Sequence, residues 1–252
     1  MSRVAAGLAL VAGGGSRAVK STPSMAGERG LSAHRPTPVE HIKEQRFALP
    51  TSSCPTLSEL FAVHPRDSGW TAFLLAQLAS DKPLLWIQER MAILESGRVH
   101  PLGLPMHNLI HVEARDARDA LWAMEEGLRC SALCAVIGEI WGNPRALDFT
   151  ATRRLAVASE RSGVSAFLIR LGGEANLSGA RMRWRIASAS SIANELDPRA
   201  PGLPAWNVEL FRARGHAPGR WSIAHDATQT GAFHLASAAA GRTLGEERRL
   251  SA

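Results

Sequence analysis

The sequence predicts an α/β fold: a mainly parallel sheet flanked by helices and ending in antiparallel strands or a hairpin. Three observations predict it. From Leu57 onward, short apolar runs alternate with stretches of helical periodicity. The run Leu133–Ile137 is apolar throughout, as a strand covered on both faces requires. Beyond residue 180 the pattern changes to strict alternation and then to two short runs around a glycine-rich turn.

The elements follow in order. Leu57–Val63 reads as a short strand, His64–Thr71 as a turn, and Ala72–Leu78 as an apolar helix. Leu84–Gln88 is a compact strand, and Leu109–Val112 is another. Between Asp116 and Arg129, residues Ala117, Ala120, Leu121, Met124 and Leu128 share one helical face. Trp122 lies beside that stripe and reads as packing. Leu133–Ile137 is the next strand, followed by a helix over Thr150–Ser162 and a strand over Ser165–Ile169. A glycine-rich loop, Leu171–Gly179, leads to Arg181–Ile186, whose arginines alternate with apolar residues. Trp206–Arg214 and Arg220–His225 then flank Gly215–Gly219 as a hairpin.

The ends differ from this middle. Residues 1–50 are Pro-, His- and charge-rich and read as a disordered N-terminal extension, with Met1 or Met25 as the true start. Arg3 followed by Val4–Ala12 imitates a short signal peptide, and Gly13–Gly15 before Lys20-Ser21 imitates a phosphate loop with Val19 in a glycine's place. Residues 51–225 hold the predicted domain, and 226–252 turn Ala-, Gly- and Arg-rich, as a flexible C-terminal tail does. No apolar run approaches the roughly 18 residues of a membrane span, so the expected location is cytoplasmic.

The formal charge of +6 is uneven: residues 1–50 carry 7 basic and 3 acidic side chains, 51–149 carry 8 and 12, and 150–252 carry 14 and 8. A basic C-terminal half suits an acidic partner, although only Lys20, Lys43 and Lys82 are lysines, a bias that genome composition also produces. Cys54, Cys130 and Cys134 lack zinc-site spacing, and Cys130 and Cys134, either side of a helix-to-strand corner, read as buried thiols. His100, His107 and His111 read as surface or structural histidines, so no metal or other cofactor is expected.

The turn after the first strand has the frame of a nucleotide-binding loop without its chemistry. Such a loop opens on a glycine and closes on Gly-Lys-Thr, so that backbone N–H groups and an ammonium surround the phosphates. Here Gly69 and Thr71 keep two of those places, His64 replaces the first glycine and Trp70 replaces the lysine. The catalytic acid expected after the next strand is offered by Glu89 out of pattern. The metal-linked acid after Ile137 is offered by Glu139 one residue late, on the other face.

This order resembles the RecA-like ATPase core over residues 57–225, with lysine, catalytic acid and metal acid all disturbed: a degenerate P-loop with no catalytic residue. Within that fold the chain resembles the ImuA family. The resemblance rests on Leu84-Leu85-Trp86-Ile87, Pro101–Leu104, Asp119–Glu126, Ala151-Thr152-Arg153-Arg154-Leu155 and Arg183-Trp184-Arg185-Ile186. It implies an accessory role in SOS mutagenesis. The implied partners are ImuB, an inactive relative of the Y-family polymerases, and an error-prone replicative-type polymerase in translesion synthesis, with the RecA filament and DNA as further candidates. A residual nucleotide switch using Gly69, Thr71 and Glu139, and a SulA-like inhibitor of cell division, stay open as alternatives.

The residues offered for partner or nucleic-acid contact are Arg181, Arg183 and Arg185 on one strand face, with Arg212, Arg214 and Arg220 on the hairpin. An ordinary solvated strand face explains the same pattern. Trp184, Trp206 and Trp221 read as core rather than base-stacking residues. Arg153 and Arg154 open a helix and serve equally as a partner surface or a solvated helix start.

Overall fold

A computed structural model describes residues 48–78, 80–100, 108–194, 197, 199–225 and 233–236, all within the compact unit Gln45–Ala252. The strands are β1 (Leu57–Ala62), β2 (Leu84–Glu89), β3 (Leu109–Ala114), β4 (Ala135–Trp141), β5 (Ser165–Leu171), β6 (Met182–Ile192), β7 (Leu203–Ala213), β8 (Gly219–His225) and β9 (Phe233–Leu235). They form one sheet in the order β3-β2-β4-β5-β1-β6-β7-β8-β9. Every pairing from β3 across to β6 is parallel, and β6 through β9 pair antiparallel. This is the mostly parallel sheet with an antiparallel end that the sequence predicts.

Helices α1 (Gly69–Leu75), α2 (Arg90–Ser96), α3 (Ala117–Gly127) and α4 (Phe149–Ser162) cover both faces. Residues of α1 and α2 share a core with Trp86, Ile137, Trp184 and Trp206, whereas those of α3 and α4 share one with Leu57, Ile87, Val136 and Leu168. Alternate residues of the central strands β1, β2, β4 and β5 serve opposite cores, which is why these strands are mostly apolar, with the buried Glu59, Gln88, Glu89, Glu139 and Arg170 among the exceptions.

The two longer helices carry their own punctuation. Asp116 accepts from Asp119 N at 2.9 Å and Asp148 from Ala151 N at 2.7 Å, each satisfying an otherwise unpaired N-terminal donor. Gly163, at φ +74°, ends α4 in the left-handed region that a side chain would strain. The seven-residue α1 is too short to stand by itself. Packing holds it: Phe73 meets Trp184, Trp206 and Phe233 with ring centroids 6.1, 6.2 and 5.7 Å apart. Each such pair adds about 0.5–1.5 kcal/mol beyond simple burial.

Two elements were not expected. Helix α2 follows β2 without a turn and buries only Ala92, so it leaves no periodic signal. Strand β9 lies inside 226–252, where the sequence suggests only a flexible tail. Phe233 from it is 4% exposed and belongs to the α1 core, so residues 233–235 are part of the sheet. A three-residue strand is too short for alternation to reveal. The expectations for residues 1–47, 226–232 and 237–252, including the start at Met1 or Met25, lie outside the described residues.

Candidate functional site

The loop between β1 and α1 satisfies itself. Asp67 carries the loop's only carboxylate, and its Oδ1 accepts from Gly69 N at 2.8 Å and from Ser188 Oγ at 2.5 Å. Its Oδ2 accepts from Ser188 N at 2.7 Å. Burial pushes this carboxyl up, but the bonds from Ser188 and Gly69 outweigh it and hold the group below its ordinary value. An anion of the chain itself thus occupies the donor that a phosphate would use.

Gly69 is required for a different reason from the one a phosphate loop has. A Cβ there would sit 2.1 Å from Ser188 Oγ, so the glycine lets β6 approach the loop. Its carbonyl accepts from Trp206 Nε1 at 2.7 Å, fastening the helix start to β7. Trp70 is 4% exposed and lies 5.9 Å from the Trp86 ring. This position therefore holds an indole packed in the core. His64 contributes its carbonyl to the turn, accepting from Asp67 N at 2.9 Å, and Thr71 N donates to Ser68 O at 3.0 Å.

The two acids are buried in structural roles on opposite faces of the sheet. Glu89 is buried at the end of β2 and accepts from Trp141 N at 2.9 Å; burial raises its carboxyl. Strand β4 runs on past Ile137, so Glu139 lies inside it and faces the α1 side with Ile137. Its oxygens accept from Trp86 Nε1 at 2.5 Å and Gln88 Nε2 at 3.1 Å. Burial pushes Glu139 up to about 7 against both bonds. Gln88 is itself pinned, its Oε1 accepting from Val99 N at 2.9 Å and lying 3.0 Å from His111 Nε2. The crevice between these groups and the loop is about 200 Å³, bordered also by Arg98 and His100.

The arginine row on β6 is not the solvated face that alternation suggests. Arg183 is 3% exposed and donates from Nε to Glu59 at 2.7 Å; Glu59, in register beside it on β1, is fully buried. Arg170 of β5 approaches the same carboxylate at 3.7 Å and is also buried. The Arg183 guanidinium lies 5.3 Å from the Phe61 ring centre and 5.2 Å from that of Phe211. Arg185, Glu209 and Arg220 stand in one row across β6, β7 and β8, so Glu209 binds Arg185 at 2.9 Å and Arg220 at 2.7 Å. Arg181 pairs with Glu160 of α4 at 2.7 Å. Arg212 and Arg214 are exposed at the end of the row. Strands β1 and β7 flank β6 and supply acids from distant sequence, which is the reason the row is paired and partly buried.

The comparisons with known proteins follow from the same core. No family model matches the chain. It is 35% identical over 150 residues to Protein ImuA from two strains of Caulobacter vibrioides, a match covering 56% of this chain and 59% of each relative. Over that stretch the chain is similar to Protein ImuA, which supports a place in the ImuA family. It spans about three fifths of the length of the curated relatives it matches.

The segments that carry the ImuA likeness fall on β2, α3, α4 and β6; Pro101–Leu104 and His107 lie outside the described residues. One residue of these segments departs from expectation. Trp122 on α3 is 65% exposed rather than packed, because the helix turns only the Leu121–Met124 side to the sheet. Cys130 is exposed and Cys134 is half-buried, against the expectation of buried thiols, and Cys54 is exposed as well. Both exposed cysteines lie outside helices and strands, where apolar character gives no guide to depth. Among the described residues, no helix is long and apolar enough to cross a membrane, and no cluster of His, Cys, Asp or Glu is arranged to hold a metal ion.

Proposed function

We propose that this chain is a member of the ImuA family and a non-catalytic accessory protein of damage-induced mutagenesis, working in the cytoplasm through contacts with other proteins. The observation that carries the non-catalytic part is the β1–α1 loop: Trp70 is buried where a lysine would reach the phosphates, and Asp67 takes the Gly69 N–H. A carboxylate at that position repels a triphosphate at close range. The crevice of about 200 Å³ falls below the roughly 300–1,000 Å³ of ordinary ligand pockets. Both features speak against a nucleotide switch built on Gly69, Thr71 and Glu139.

The partners this reading names are an ImuB-like relative of the Y-family polymerases and an error-prone replicative-type polymerase during translesion synthesis, with the RecA filament as a further candidate. Arg212 and Arg214, exposed beside the paired row, are the members of the basic group open to DNA or an acidic partner.

The test is ultraviolet-induced mutation frequency in the source bacterium. Deleting the gene should lower it severalfold, and a copy carrying Thr71→Ala should restore it fully, since Thr71 would be needed only by a loop that holds magnesium and phosphate. Failure of that copy at normal protein level would overturn the non-catalytic reading. Unchanged mutability on deletion would overturn the mutagenesis role, and filamentation on overproduction would then favour the cell-division alternative.

A further inference from the structure

We propose that the cleft between α3 and α4 docks an acidic, amphipathic segment of a partner protein. This rests on the protein-contact reading above and adds a place and a chemistry to it. The cleft is about 610 Å³ and runs along α4 from Thr150 to Ser162 beside the last turn of α3. At about 1.5 Å per residue, that length of α4 matches three turns or so of a partner helix.

Its walls are basic and its floor is apolar. Arg129, Arg153, Arg154 and Arg161 line it against the single carboxylate of Glu125, four positive charges to one negative. Arg154 pairs with Glu125 at 3.3 Å and Arg129 with Glu126 at 3.1 Å. Arg153 and Arg161 are exposed and form no ion pair or hydrogen bond among the described residues. The floor is apolar through Val157, 40% exposed, and Ala158, half-buried, over the fully buried Leu128. Trp122, 65% exposed, stands one turn before Glu125 on the same side of α3. Exposed tryptophan and arginine are the side chains that most often anchor protein interfaces.

Two features select the occupant. A nucleic-acid strand would meet the arginines with phosphates but leave the exposed Val157 uncovered, whereas an acidic amphipathic helix satisfies both. The chain's own ends do not complement the cleft. Residues 1–47 carry 7 basic and 3 acidic side chains, and residues 237–252 carry 3 and 2, both net positive like the walls.

The experiment uses the full chain and a fluorescein-labelled synthetic peptide with glutamates along one helical face and leucines along the other, followed by anisotropy. Saturable binding is expected, weakened at least about tenfold, or roughly 1.4 kcal/mol, by Arg153→Glu with Arg161→Glu, and less by Trp122→Ala. A scrambled peptide of the same charge should bind weakly. Equal affinity of the double variant, with an unchanged circular-dichroism spectrum, would overturn the proposal. So would binding of a single-stranded oligonucleotide that alone depends on these arginines, or a self-association that the double variant abolishes. The readout is separate from mutability: a cleft that binds in a strain with unchanged mutability removes the mutagenesis reading alone, and the reverse removes the cleft alone.

Discussion

Two arginine-rich regions of this molecule use the same side chain to opposite ends. On β6 and its neighbours, Arg183 and Arg170 converge on buried Glu59, and Arg185 and Arg220 on Glu209. Along the α3–α4 cleft, Arg153 and Arg161 stand in solvent without a partner among the described residues. The first region appeared in the sequence as the basic surface, and the second as a solvated helix start. Available charge depends on which acids the topology brings alongside. Glu59 precedes Arg183 by 124 residues, and only the parallel pairing of β1 with β6 joins them.

The largest effect should come from breaking the buried side of the comparison. Arg183→Met leaves Glu59 with Arg170 alone, whose guanidinium is farther off at 3.7 Å and directed also to Asn143 at 2.9 Å. Removing one partner of a buried pair costs about 3–5 kcal/mol, because the remaining charge is left in a medium that cannot solvate it. Chemical denaturation should show a loss of that size, with Arg183→Glu losing more. A variant within 1 kcal/mol or so of the parent would mean that water reaches Glu59. Glu59→Gln added to Arg183→Met should recover part of the loss, since it removes the stranded charge. The same argument excludes charge reversal at Arg183 as a clean probe of binding, because the core would respond first.

What was legible in the sequence follows from how local each signal is. The parallel strands show as apolar runs because both faces are covered, and α3 and α4 show as stripes ended by Asp116, Asp148 and Gly163. The absence of an ammonium at Trp70 was legible, since it is a matter of residue type. The loop's own bonding was not: Asp67 is silenced by Ser188, 121 residues away. Helix α2 and strand β9 were missed because one buries a single alanine and the other has three residues. Trp122 was misjudged because it adjoins Leu121 on the stripe's border, where about 100° of rotation decides between core and solvent.

Glu139 sharpens the comparison from the acid's side, for it is buried like Glu59 but meets the N–H groups of Trp86 and Gln88 in place of guanidinium groups. Its folded pKa is raised from 4.5 to about 7 by burial. The folded chain therefore holds this proton more tightly than the unfolded chain does. The resulting stability is fully present below the unfolded value and is lost as pH rises through about 7. The shift corresponds to something on the order of 3 kcal/mol between pH 4.5 and pH 8. Glu139→Gln should flatten that part of the stability–pH curve, whatever its effect on the absolute level. An equal slope in parent and variant would show that the two donors already keep Glu139 ionised.

The smallest effect is the one that makes the exposed side of the comparison meaningful. Arg153→Glu with Arg161→Glu should change the free energy of unfolding by no more than about 0.5 kcal/mol, because neither side chain is buried and no partner is stranded. Reversing two charges on one helix face would lower stability measurably only if they were already engaged within the chain. A loss of 2 kcal/mol or so would therefore place them in the same category as Arg183. Stability held constant while peptide affinity falls separates the two uses of arginine: one set is consumed in holding the sheet, and the other is left free at the surface. Carried out in low and high salt, the same pair of measurements adds a further check. Binding through the free set should weaken as salt screens it, while the fold, whose principal arginine pair is buried, should hardly respond.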